Sequence, residues 1–309
     1  MPIKIMNSLP AQQILENENI FVMTETRAMH QDIRPLNVLI LNLMPNKEVT
    51  ETQLLRKLSN SPLQVDVELL QTSSYTPTHV DANHLESFYT TFDMIRDRKF
   101  DGMIITGAPL DYVKFEDVKY WDEMCMIMDW AETHVHCTFY LCWACFAGLY
   151  YHYHLDRYDR DEKLSGVYAH TMLKPHSPLF RGFDDVFYAP HSRAMGIERE
   201  KIEAAPELEL MAYSDEAGVS IVKSVDSRKF FVACHPEYDW DTLSNEYFRD
   251  LNKGMNPIIP KHYFPNDDPS QKPIVNWRST GQLLYTNWLN YYVYQSTPYD
   301  VNTIGGREN

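Results

Sequence analysis

The sequence predicts an α/β sandwich, a parallel sheet with helices on both faces, and three observations carry that prediction. Apolar runs of strand length alternate with longer segments of helical spacing, the signature of strand-helix-strand repetition. Turn-rich stretches, "LMPNK", "TGAPLDY" and "LCWAC", follow three of those runs, and in such sheets ligands bind outside the carboxyl ends of the strands. The last of these is a sharp junction in "TFYLCWACFAGLYY" (138–151), where β-branched and aromatic residues give way to a helix-compatible run.

The elements follow in order. Residues 1 to about 34 form an N-terminal extension. It lacks the apolar core of a signal peptide, and nowhere do the roughly 18 apolar residues of a membrane span run together, so a cytoplasmic protein is expected. Strands are predicted at "NVLILNL" (37–43), "QVDVELLQ" (64–71), "FDGMIITG" (100–107) and "CTFYLC" (137–142). Helical spacing marks "KEVTETQLLRKLSN" and "YWDEMCMIMDWAETH", the latter with Trp121, Met124, Cys125 and Met128 on one core face. After about residue 165 come shorter strand-like pieces, "VYAHTML", "DVFYAPHS", "ELMAYS", "GVSIVKS" and "KFFVACHPEYD", then a helix "WDTLSNEYFRDLNKG". A Pro-rich loop from about 255 leads into a final amphipathic helix, "TGQLLYTNWLNYYVYQ", expected to pack back on the body. With no Gly/Ser linker, charge block or internal repeat, 1–309 is read as one domain.

Composition narrows the function. A chain of 309 residues, 44% hydrophobic and 13% aromatic, can bury a sizeable core. Its net charge of -15 and lack of any basic run exclude a general nucleic-acid binder and favour small-molecule partners. Five cysteines, an odd and thinly spread set, do not make a disulfide framework.

The thiols Cys142 and Cys145 leave three chemistries open. They could be a redox pair at a helix start, half of a zinc site completed by His152 and His154, or one nucleophile with an incidental neighbour. Cys145, Cys125, Cys137 and Cys234 read as packed residues. Cys142 has the position of a nucleophile elbow, where the next backbone N–H, that of Trp143, points at the oxygen of an attacked carbonyl. "ACHPEYD" supplies a base. If this segment ends a strand, His235 and Glu237 project to the same side and the carboxylate can hold the imidazole.

The stretches "ILNLMPNK", "TGAPL", "FEDVKYW", "CWACFAGL", "EKLSGVY", "APHSR", "HPEYDWDTL", "YFPNDDP" and "YTNWLNYYVYQSTPYD" occur in that order up to about residue 300. In them the sequence resembles the homoserine O-acyltransferases of methionine biosynthesis, built on the class I glutamine amidotransferase-like (flavodoxin-like) fold. The resemblance implies that Cys142 accepts an acyl group from an acyl-CoA as a thioester and passes it to the hydroxyl of L-homoserine. His235 would be general base and acid and Glu237 its orienter, while Lys163, Ser192 and Arg249 would bind substrate. Arg249 suits a carboxylate through its planar fork. Lys47 is either a solvated lysine at a helix start or a positive charge beside the oxyanion.

At position 111 the resemblance implies control of donor choice, with Gly in succinyl-using and Glu in acetyl-using enzymes. Asp111 matches neither, but its carboxylate would repel the distal carboxylate of succinate, so acetyl-CoA is the expected co-substrate. No other cofactor, metal, nucleic acid or membrane is expected, and a homodimer is possible. A succinyl-CoA enzyme, acetyl transfer to serine, a glutaminase and a non-catalytic binding protein are the competing functions.

Overall fold

The structure is a computed structural model that describes residues 3–17, 22–24, 34–75, 82–298 and 300–305. Parts of the predicted N-terminal extension lie outside the described residues. The strands are β1 (Ile3–Ile5), β2 (Val22–Thr24), β3 (Leu36–Leu41), β4 (Val65–Leu70), β5 (Tyr89–Thr90), β6 (Phe100–Ile105), β7 (Val135–Leu141), β8 (Tyr158–Met172), β9 (Val186–Gly196), β10 (Leu208–Ser214), β11 (Gly218–Ser224) and β12 (Lys229–Val232). They form one sheet in the order β2-β1-β4-β3-β6-β7-β12-β11-β10-β8-β9, with β5 beside β4.

From β2 to β12 every pairing on that path is parallel. From β12 to β9 every pairing is antiparallel. The expected α/β class is the one found, a mostly parallel sheet between helical layers. The short pieces expected after residue 165 join this same sheet as its antiparallel half. The first of them is the end of a 15-residue strand, β8, whose charged start "YDRDEK" hides its length from a search for apolar runs.

Successive residues of the central strands face opposite layers, as a pleat requires. Val38 and Ile40 lie in the apolar layer that contains Leu54, Leu55 and Leu58 of α1 (Lys47–Ser59) and Leu284 and Tyr285 of α5 (Arg278–Asn287). Leu39 and Leu41 face the layer of Met124, Ile127 and Met128 of α2 (Trp121–His134) and Phe146 and Leu149 of α3 (Trp143–Tyr153). Another helix, α4 (Thr242–Asn252), follows the turn after β12 and precedes α5. The final helix differs from expectation: α5 is α-helical only to Asn287 and continues as a π-helix over Trp288–Tyr294. There Trp288 lies across Gly102, where a Cβ would come within 3.0 Å of the indole, and its N–H donates to Cys137 Sγ at 3.1 Å. None of the helices among the described residues is long and apolar enough to cross a membrane.

Gly166 in β8 anchors the loop before α5. Its φ is +149°, and a Cβ there would lie 2.3 Å from the Lys261 carbonyl oxygen, which accepts from Val167 N–H at 2.9 Å. Backbone, not a flexible side chain, blocks that space. Gly166→Ala should lower unfolding stability by about 2–3 kcal/mol; a urea midpoint equal to that of the wild type would refute the anchoring role.

Candidate active site

The carboxyl ends of β3, β6 and β7 lie at one end of the sheet, with Leu41 paired to Ile105 and Ile105 to Tyr140. Cys142 follows β7 directly and is the residue before the first turn of α3, with φ 51° and ψ −112°. This is backbone that a non-glycine residue seldom adopts. Its N–H donates to Val232 O at 2.7 Å, and its carbonyl accepts from Cys145 N–H at 2.9 Å. Trp143, as first residue of the helix, has an N–H with no intrahelical acceptor, and the helix dipole favours negative charge beside it. Gly107, beyond β6, keeps this point open: a Cβ there would sit 3.2 Å from Cys142 Cβ and 3.6 Å from Trp143 N.

The thiols separate as their burial dictates. Cys142 is 7% exposed and Cys145 1% exposed; burial, with Cys142 adding, pushes the Cys145 thiol well above its ordinary value. Burial likewise raises Cys125 to about 11 and Cys137 and Cys234 to about 12. All five are free. His152, an alternative zinc ligand, is hydrogen-bonded to Tyr140 OH at 2.8 Å and pushed to about 3 by burial, with Lys229 adding.

His235 Nδ1 lies 2.6 Å from Glu237 Oε1, and the ring is near enough to Cys142 for the thiol to act on its pKa. With Nδ1 taken by Glu237, Nε2 is the ring nitrogen left to serve the thiol. Burial alone would lower the His235 pKa, but the charges of Cys142 and Glu237 and the hydrogen bond to Glu237 hold it well above the ordinary histidine value. The pair meets for a different reason from the one expected. β12 ends at Val232, so His235, Pro236 and Glu237 form a turn after the strand, in which Tyr238 N–H donates to His235 O at 3.2 Å. The Tyr238 ring then stacks on the imidazole at a centroid distance of 4.0 Å.

Lys163 on β8 and Ser192 on β9 come together on Glu246 of α4. Lys163 Nζ is 3.3 Å from Glu246 Oε2 and Ser192 Oγ donates to the same oxygen at 2.5 Å. Tyr238 OH donates to Glu246 Oε1 at 3.1 Å. Arg249, one turn further along α4, has its Nε on Asp250 Oδ1 at 2.8 Å; that hydrogen bond raises its pKa against a lowering by burial, and Glu246 is among the charges that add to the rise. Asp111 accepts from Ala194 N–H at 2.9 Å, two residues beyond Ser192 on β9.

Lys47 corrects one expectation. It is not solvated: only 4% of it is exposed. Its ammonium donates to Asn42 O at 2.5 Å and lies 5.0 Å from the Tyr89 ring centroid. Burial lowers its pKa to about 8, with Glu51 opposing. Its described contacts are therefore with the end of β3 and not with the thiol.

Three residues escaped the sequence reading. Glu246 gathers the polar cluster just described. Arg193, 1% exposed, donates to Ala217 O at 2.6 Å; burial lowers its pKa, and charge on Cys142 raises it. Lys57 of α1 is 4% exposed, and burial lowers it to about 8, with Glu237 as its strongest opposing partner. Glu237 Oε2, buried and without a hydrogen-bond acceptor role among the described residues, thus has a cation in its field. Only "APHSR" gave any hint, because Arg193 adjoins Ser192.

Residues 2–299 match the family model described as Homoserine O-succinyltransferase. The chain belongs to that family. It is 57% identical over 305 residues to a protein of Methanomethylophilus alvi named Homoserine O-acetyltransferase, covering 99% of each chain. A Geobacillus kaustophilus protein of the same name is 57% identical, with 97% of this chain and 99% of that one covered. A protein of Shewanella piezotolerans named Homoserine O-succinyltransferase is 54% identical, with 99% and 98% covered. Among solved structures, SMU.1228c matches with a TM-score of 0.52 at 15% identity over 82% of this chain and 97% of that one. A glutamine amidotransferase of Thermotoga maritima matches with a TM-score of 0.48 at 11% identity, covering 83% and 98%.

In this family member the raised His235 pKa has a sign. The imidazolium stabilises the fold fully below about 6.5, the unfolded value, and that contribution is lost as pH rises through the higher folded value. Histidine-selective NMR should find the His235 titration midpoint above that of an exposed histidine, with Glu237→Gln moving it down. A wild-type midpoint at or below that of an exposed histidine would contradict the ion-pair geometry.

Proposed function

We propose that the protein is a homoserine O-acetyltransferase that carries the acetyl group on Cys142. The observation that carries this reading is Cys142, on strained backbone, near a His235 that Glu237 holds at 2.6 Å, with the polar cluster of Lys163, Ser192 and Glu246 joined to it through Tyr238.

The Cys142 sulfur attacks the carbonyl carbon of acetyl-CoA, and the oxyanion forms at Trp143 N–H. The carbon–sulfur bond to CoA breaks, and the leaving thiolate takes the proton from His235. Homoserine then binds with its carboxylate at Arg249 and its ammonium facing Glu246. His235 accepts the proton of its hydroxyl as the oxygen attacks the thioester; collapse releases O-acetylhomoserine and the Cys142 thiolate. Glu237 keeps the imidazole in one orientation throughout.

Asp111 supports acetyl over succinyl. Its carboxylate is tied to β9 beside Ser192 by the Ala194 N–H, so a second carboxylate brought there meets a fixed like charge. Relatives named Homoserine O-acetyltransferase, 53–57% identical over nearly the whole chain, support the same donor, and a relative named Homoserine O-succinyltransferase, at 54%, stands for the alternative.

Intact mass should show one acetyl adduct after incubation with acetyl-CoA, lost in Cys142→Ala and kept in Cys145→Ala. An adduct on Cys145 would sink the assignment. His235→Asn should cost about 10²- to 10⁴-fold in acyl transfer, and wild-type turnover in a folded His235→Asn would refute general-base assistance.

Donor choice is tested by crossing acetyl-CoA and succinyl-CoA with homoserine and serine. Wild type should prefer acetyl-CoA and homoserine, and Asp111→Gly should shift the donor ratio toward succinyl-CoA by about tenfold or more. A ratio unmoved by that substitution would remove Asp111 as selector.

A further inference from the structure

The loop after β6 touches the nucleophile at one end and lines a cavity at the other. At the first end, Gly107 leaves room that a Cβ would fill to within 3.2 Å of Cys142 Cβ. At the second, Pro109, Leu110 and Val113 line a cavity of about 330 Å³, together with residues at the ends of β3 and β4 and with Val118 and Tyr120. The Tyr120 ring also stands edge-on to Trp143, with centroids 6.5 Å apart, so one wall reaches the residue that follows the nucleophile.

The position of the cavity divides the crevice. In the sheet order β4-β3-β6-β7-β12, the cavity covers the ends of β4, β3 and β6, and Cys142 follows β7. Lys163, Ser192 and Glu246 approach from β8, β9 and α4, beyond β12. A donor and an acceptor can therefore reach one sulfur from opposite sides.

The lining matches a particular kind of ligand. It is largely apolar, with Thr72, Lys47, Asp117 and the exposed Lys119 among its polar lining residues. Lys119 Nζ lies 5.6 Å from the Tyr75 ring centroid, and Tyr75 pairs with Tyr120 at 5.9 Å. The volume is near the lower end for ligand pockets, suited to a narrow chain of methylenes and amides and too small for a whole nucleotide as well.

We propose that this cavity receives the pantetheine arm of the acyl-CoA donor. The thioester lies at the Gly107 end beside Cys142, and the phosphates stay outside, near the exposed Lys119. The proposal rests on the acyl-CoA reaction above and adds where the donor is held.

Coenzyme A itself is the probe, titrated calorimetrically into full-length Cys142→Ala. Hydrogen exchange should slow in peptides covering 72–75 and 109–120 when coenzyme A is bound. Leu110→Trp, which fills the cavity, should weaken coenzyme A binding by about tenfold or more. Lys119→Glu, an exposed change that spares packing, should weaken it by about three- to tenfold at low salt and less at high salt. In chains retaining Cys142, both should raise the KM for acetyl-CoA and leave that for homoserine unchanged.

Undiminished affinity in both variants, no binding of coenzyme A at all, or protection confined to the Lys163, Ser192 and Glu246 segments would overturn the proposal. If acetyl-CoA acylates wild-type Cys142 while protection falls elsewhere, the cavity assignment fails and the reaction stands. If coenzyme A fills the cavity but acetyl-CoA leaves Cys142 unmodified, the reaction fails and the cavity assignment stands.

Discussion

The backbone of Cys142 is the constraint on which the site depends. A positive φ at a residue with a side chain costs on the order of 1–3 kcal/mol and persists only where its surroundings over-determine it. Here they do. The ladder between β7 and β12 runs up to Leu141 and Val232, and the Cys142 N–H extends it by one more bond to Val232 O. Beyond the turn, α3 is held against the sheet at Gly148, where a Cβ would come within 2.8 Å of the Tyr140 ring and 2.9 Å of Phe231. Strand and helix cannot separate, so the residue between them takes the only path that joins them. That path turns the sulfur toward His235, and it is the step from packing to chemistry.

Charge is the second requirement, because the site is buried. Glu237 is 3% exposed and His235 4%, and an isolated ion at such depth would cost several kcal/mol. The molecule answers with alternation of sign. Lys57 stands in the field of Glu237, Glu237 holds His235, and His235 faces Cys142. Charge on the same sulfur raises the pKa of the buried Arg193 against its lowering by burial. Glu246 is balanced in turn by Lys163 and hydrogen-bonded by Ser192 and Tyr238. Removing one member leaves its neighbour uncompensated in a low-dielectric interior, so effects of single substitutions here will not add.

How far the sequence revealed this follows from the range of each interaction. The central parallel strands β3, β4, β6 and β7 were legible as apolar runs, and the elbow as a change from strand to helix composition, because both are local patterns. The two- and three-residue parallel strands β1, β2 and β5 are too short to show such a pattern. His235 and Glu237 were legible as neighbours two positions apart, though the cause was misjudged: a turn around Pro236 joins them, and strand alternation does not reach that far. Lys57 was not legible. In "QLLRKLS" it reads as the polar side of an amphipathic helix, yet the turn carrying Pro236 and α5 covers it: a Cβ on Gly281 would lie 2.3 Å from Pro236 O and 3.4 Å from Lys57 Nζ. Glu246 was hidden for the same reason, since its partners stand 54 and 83 positions away.

Donor choice shows why a family can keep one scaffold and vary its substrate. The elbow and the buried charges are coupled, so changing them risks both fold and chemistry. Asp111 lies outside that coupling. It sits in a turn after β6, half-buried, and its one described side-chain bond is to a backbone N–H. A side chain there can change length or charge without uncovering a buried ion or altering the strained turn. The energy at stake is nevertheless large on the scale of specificity, because a like charge in a confined site is worth more than the 1–3 kcal/mol of a methylene. On the proposed reading the acyl group's distal end meets Asp111 and its carbonyl meets Trp143 N–H. Selection and catalysis then act on opposite ends of one small group, and the first can evolve while the second stays fixed.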